Sequence, residues 1–125
     1  MAATERATEL ARAAAAAADE KKATSITAID VSDQLALTDV FVIASGSSET
    51  QVNAIVDGVE ERLLELGAKP IRREGRRDGR WVLLDFGELV VHVQHDEDRE
   101  FYALERLWRD TPSIELPAEV TAAHD

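Results

Sequence analysis

The chain has no cysteine among its 125 residues. That absence excludes a disulfide framework, cysteine-ligated zinc and thiol catalysis, and it favours a reducing, cytoplasmic setting. A long hydrophobic run is missing too. The longest apolar stretch near the N-terminus is the alanine run Ala13 to Ala18, closed by Asp19-Glu20-Lys21-Lys22. It is too short and too weakly apolar for a signal segment or a membrane span. Basic charge is scarce: 14 Lys and Arg against 25 Asp and Glu give a formal net charge of −11. Such a chain is repelled by phosphate backbones unless its basic residues gather on one face. One stretch does gather them. KPIRREGRRDGR, Lys69 to Arg80, carries six basic and two acidic residues, +4 against −15 for the rest. It reads first as a solvated hairpin edge, because lysine and arginine protect strand edges from aggregation. A nucleic-acid contact is the alternative.

What is present is an ordinary globular composition, 45% apolar and 31% charged, at a length that suits one core. Thr4 to Lys22 predicts a helix on alanine propensity, with the lysines in a last turn that favours cations. ITAIDV, Ile26 to Val31, predicts a strand, and an Asp/Ser/Thr-rich connection follows. VFVIAS, Val40 to Ser45, is continuously apolar, as expected of a central strand with helices on both sides. Ser48 and Gln51 fit a capping box. After them Val52, Ile55, Val56, Val59, Leu63 and Leu66 repeat at helical spacing up to a C′ glycine, Gly67. Ala68 to Arg73 predicts a short strand, Asp78-Gly79 a hairpin turn, and RWVLLDF and LVVHVQ two more strands. Asp96, Glu97 and Asp98 suit a helix start, with Phe101, Leu104 and Trp108 on one stripe. The expected order is α-β-β-α-β-β-β-α, an α/β or α+β domain with a mixed sheet of about five strands. It would occupy 1–110, followed by an extended or mobile acidic, Pro-containing tail over 111–125 with little to bury.

The turn Ser45-Gly46-Ser47-Ser48 lies between a strand and a helix, where phosphates are often held. It resembles the opening motif of the nucleotidyltransferase fold, and an active nucleotidyltransferase is one reading. That chemistry needs two metals clamped by paired carboxylates on one strand face. About ten residues on, Asp57, Glu60 and Glu61 fall inside the predicted helix. Asp85 is on a strand, but its partner position is Gly87. Asp96 and Asp98 follow a strand and read as helix-start acids. There is no Walker lysine and no G-x-G-x-x-G. His92 and His95 point to opposite strand faces and lack a third ligand. Neither a catalytic residue, a cofactor nor a metal is expected. Gly46 is expected to permit a tight turn and Ser48 to cap the helix.

Five of the six aromatics lie after residue 80. In the strand beginning at Trp81, one face carries Val82, Leu84 and Phe86 and the other Trp81, Leu83 and Asp85. In Leu89 to Gln94, one face carries Leu89, Val91 and Val93 and the other Val90, His92 and Gln94. Two such strands side by side give a dry face and a mixed one. The mixed face is either partly buried under the last helix or a protein-binding patch anchored on tryptophan.

TDVFVIASGSSETQVNAIVD and GRWVLLDFGELVVHVQHDEDREFYALERLW together resemble the ribosomal silencing factor family, also called Iojap-like. The most specific residues are Trp81, Leu83, Asp85 and Gly87, then Val91-His92-Val93, then Arg99, Tyr102, Leu104, Glu105, Leu107 and Trp108. The resemblance runs from about residue 8 to Asp110. It implies a nucleotidyltransferase-like fold without the catalytic carboxylates. It also implies binding to the large ribosomal subunit through its fourteenth protein, where the factor blocks subunit joining and lowers translation in nutrient shortage. Homodimers when free are a further implication. On this reading the partner is a basic ribosomal protein, with little direct RNA contact and no membrane. Trp81, Leu83, Asp85, His92, Tyr102 and Trp108 are expected to form or border the contact surface. A generic homodimeric adaptor is the remaining alternative.

Overall fold

A computed structural model describes residues 3–102, 112–114 and 116. The element order is the expected one: α1 (Glu5–Glu20), β1 (Ser25–Asp30), β2 (Val40–Gly46), α2 (Glu49–Glu65), β3 (Arg72–Glu74), β4 (Trp81–Asp85), β5 (Leu89–His95) and α3 (Asp96–Tyr102). The five strands form one mixed sheet in the order β1-β2-β5-β4-β3. β2 and β5 run parallel, Val40 beside Leu89 and Gly46 beside His95, while the other pairs are antiparallel.

The helices α1 and α2 pack together over one sheet face. Thr4 caps α1, its hydroxyl accepting the Ala7 amide at 3.0 Å. Ala7, Leu10, Ala11, Ala14, Ala15, Ala17 and Ala18 are buried. Methyl-sized side chains let the α1 backbone approach its neighbours closely. Gly58 of α2 answers in kind, since a Cβ there would meet the Lys21 side chain at 3.1 Å. Lys21 and Lys22 lie just past the helix rather than in its last turn, Lys22 with φ of 66°. In α2, Ser48 caps, Val52, Ile55, Val56, Val59 and Leu63 are buried, and Gly67 reverses the chain at φ +82°. There Ala68 N–H donates to the Leu63 carbonyl, satisfying a carbonyl the helix end leaves open. These residues face Val40, Val42 and Ala44 of β2, Val82 and Leu84 of β4, and Leu89, Val91 and Val93 of β5 in one core.

β2 is buried on both faces apart from Phe41. Its second face is met by a smaller cluster, Ile29, Val31 and Ile43 with Leu35 and Phe41, and by Arg99 of α3, which donates to the Ile43 carbonyl and the Thr27 hydroxyl. The strand expected over Ala68 to Arg73 starts later. Pro70 has no N–H to give a ladder, and pairing begins where Ile71 N–H donates to the Asp85 carbonyl. The β3–β4 connection is a six-residue loop, not a two-residue turn, with Gly75 at φ +83° and Gly79 at φ +65°.

Of the expected tail, the described residues 112–114 and 116 lie against the sheet and the core. Asp30 N–H donates to the Pro112 carbonyl and Ile114 N–H to the Ala28 carbonyl, giving an antiparallel bridge between Ile29 and Ser113 on the free edge of β1. Ile114 and Leu116 pack partly buried against the main core.

Candidate functional site

The glycine-serine turn is occupied by the protein itself. The Ser48 hydroxyl accepts the Gln51 amide at 3.0 Å. The Gln51 side chain does not return to Ser48, as a capping box would have it. Its Oε1 accepts the Ser47 amide at 2.7 Å and the Ser47 hydroxyl at 3.0 Å. Its Nε2 donates to the Lys22 carbonyl at 2.7 Å. Gly46 is not at positive φ, so a tight turn is not what requires it. A Cβ there would press on Gln51 at 3.2 Å. Glycine leaves room for the glutamine that fills the turn.

The acids nearby are committed as well. Asp96, just beyond the Gly46–His95 pair, accepts from the Thr24 hydroxyl. Asp98 pairs with Arg80 at 2.7 Å, and Glu97 pairs with the same guanidinium at 3.2 Å. His95 Nδ1 accepts the Glu97 amide at 3.2 Å, and His92 points to the opposite sheet face. Among the described residues no three of His, Cys, Asp and Glu converge as a metal site.

The basic stretch folds back on α2 in the way a solvated edge would. Arg76 meets Asp57 at 2.6 Å, Arg73 meets Glu60, and β3 is exposed throughout. Asp57, Glu60, Lys69 and Arg73 help line an open cleft of about 590 Å³, in which Glu60 is paired with Arg73 and Asp57 with Arg76.

The second sheet face carries the mixed site. Parity along β4 and β5 holds: Val82 and Leu84 are buried in the core, while Trp81, Leu83 and Asp85 are half-buried on the other side. The register sets Trp81 beside Gln94, Leu83 beside His92 and Asp85 beside Val90. Trp81 Nε1 donates to His92 Nδ1 at 3.2 Å. His92 is only 6% exposed, and burial lowers its pKa to about 4, so it is neutral at pH 7. Asp85 accepts the Gly87 amide at 2.8 Å and lies 3.7 Å from Arg72. Phe41 of β2 joins this face edge-on to His92, with centroids 4.9 Å apart. The parity of β2 carries that signal, but only once β2 is known to lie beside β5. The structure brings Trp81, Leu83, Asp85 and His92 together. The side chain of Tyr102, like that of Phe101, lies outside the described residues, as do Leu104 and Trp108 entirely.

Fold and site thus define a five-stranded α+β domain with a self-filled turn and one mixed, aromatic sheet face. The family described as "Ribosomal silencing factor during starvation" matches residues 4–125. The ribosomal silencing factor RsfS of Halalkalibacterium halodurans is 40% identical over 113 residues, 90% of this chain and 97% of that one. That of Bacillus subtilis is 42% identical over 103 residues, 82% and 87% of the two chains. The crystal structure of a Chromobacterium violaceum protein aligns with a TM-score of 0.78 at 34% identity, covering 82% of this chain and 85% of that one. The chain belongs to the ribosomal silencing factor family. Its role is accordingly in ribosome silencing. No helix among the described residues is long and apolar enough to cross a membrane.

Proposed function

We propose that this chain binds the large ribosomal subunit through its mixed sheet face and acts by occupying space, not by catalysis. The partner is a basic protein at the subunit-joining face, the fourteenth of the large subunit on the family resemblance. Seated there, the domain keeps the small subunit from docking and lowers translation when nutrients are short. The observation that carries the reading is the convergence of Trp81, Leu83 and Asp85 over buried His92 on a single face. An indole with apolar and acidic neighbours suits a basic protein surface. Tyr102 and Trp108 belong to the proposed contact by resemblance alone. The charge of −11 disfavours RNA and steers the domain towards a basic protein. The glutamine-filled turn and the ion-paired acids beside it support a role without metal-assisted transfer.

The test is co-sedimentation with purified large subunits. Trp81→Ala is expected to weaken binding by an order of magnitude or more, since such anchors cost ~2 kcal/mol or more when truncated. Asp85→Asn keeps the acceptor for Gly87 while removing the charge, and it too should bind less. Full binding by both folded variants would remove this face from the interface. A homodimeric adaptor without ribosomal contact would stay at the top of the gradient.

A further inference from the structure

Along β5 the second sheet face buries two polar side chains, His92 and Gln94. Among the described residues, fully buried Gln94 has neither amide atom partnered, and buried His92 has no partner at Nε2. For His92 the geometry is informative. Its Nδ1 accepts from Trp81 Nε1, so in the neutral ring the proton sits on Nε2, the nitrogen left unpaired. A buried donor without an acceptor destabilises a fold. A leucine at this position would carry no such donor. Histidine supplies one thing leucine cannot, a fixed acceptor for the indole. The ring is itself held, edge-on against Phe41 at 4.9 Å and between Ile43 of β2 and Leu83 of β4 in the sheet register.

We propose that His92 is a positioning residue: it fixes the orientation of the Trp81 indole for docking and does not touch the partner. The inference rests on the reading that the mixed face meets the large subunit. It refines that reading, because His92 serves the surface from beneath. The indole has two torsions to lose on binding, and a hydrogen bond to a rigid, buried acceptor removes that freedom beforehand. Asparagine at this position can offer an acceptor near Nδ1, whereas leucine cannot.

The experiment compares His92→Leu, His92→Asn, Trp81→Phe and the double variant Trp81→Phe/His92→Leu. Three readouts are used: thermal stability, the indole N–H resonance of Trp81, and affinity for purified large subunits. His92→Leu is expected to match or exceed the parent in stability, to shift the Trp81 resonance, and to lose on the order of five- to tenfold in affinity, the worth of one hydrogen bond. His92→Asn should recover most of that affinity. In the Trp81→Phe background, His92→Leu should cost nothing more. An unmoved Trp81 resonance, or full affinity of His92→Leu while Trp81→Ala is impaired, overturns the positioning role and leaves the docking face standing. Undiminished binding by Trp81→Ala overturns the positioning role, and undiminished binding by both Trp81→Ala and Asp85→Asn overturns the docking face with it.

Discussion

Gln51 and Ser47 are joined twice, the glutamine Oε1 accepting both the amide of Ser47 at 2.7 Å and its hydroxyl at 3.0 Å. In a phosphate-binding turn those donors would face the ligand. Here they face a side chain from the first turn of the helix they precede, and the other end of that side chain holds the Lys22 carbonyl at the end of α1. The turn has become a clasp between α1, β2 and α2.

Gln51→Ala should therefore act on stability. It frees the Ser47 donors and the Lys22 carbonyl, and a loss of about 1–2 kcal/mol is expected in urea denaturation. Incubation with labelled nucleoside triphosphates and magnesium should give no transfer in the parent or the variant. Transfer by either would restore the enzymatic reading.

Gly75 is the least replaceable glycine described. At φ +83°, an added Cβ would lie 2.0 Å from the Trp81 carbonyl oxygen, far inside contact. Gly75→Ala is expected to destabilise by more than about 2 kcal/mol and to displace the start of β4. Binding should fall with it, because Trp81 opens that strand. Calorimetry of the folded variant measures the first effect and co-sedimentation the second.

His92 sets a pH dependence. Burial lowers its pKa from 6.5 to about 4. Between those values the unfolded chain binds the proton and the folded chain does not, so stability rises with pH across the window and falls as the solution is acidified. The full difference corresponds to about 3 kcal/mol. Unfolding free energies from pH 7 to 4 should show this slope, and His92→Leu should flatten it.

Asp30 titrates lower. Burial works against its charge, but the Ser32 hydroxyl, the Ser32 amide and the Ala3 amide all donate to it and hold its pKa below the ordinary 3.8. The stability it contributes is complete above the ordinary value and is lost as pH falls through the lowered one. Asp30→Asn should lose part of that stability at neutral pH and show less further loss below pH 4. Parallel acid-denaturation curves for the two proteins would contradict this.

Val82→Ala separates folding from recognition. The side chain is fully buried in the main core, so truncation should cost roughly 2 kcal/mol. The fraction that remains folded should bind large subunits with parental affinity, unlike Trp81→Ala.

Much of this was legible locally. The α2 helix announced itself through Ser48, the spacing from Val52 to Leu63, and Gly67, all within one stretch of chain. The faces of β4 and β5 followed from parity alone. Less legible was whatever depended on distant partners. Pro70 delayed β3 beyond its apparent start. Gln51 has the spacing of a capping box, but its Oε1 takes the donors of Ser47 and its Nε2 reaches Lys22 far upstream. Ile114 and Leu116 looked like tail residues because nothing nearby in sequence shows that the edge of β1 is free.

By itself the sequence determined the element order, the helix ends and the side of each strand on which apolar residues fall, because propensity, capping and side-chain alternation act over a few residues. Only the tertiary structure decided that β5 lies between β2 and β4, bringing Phe41, His92 and Trp81 into one contact, and that the glycine-serine turn is filled from within. Strand order and hydrogen-bond partners are set by which surfaces exclude water together, and that competition is among segments far apart in the chain.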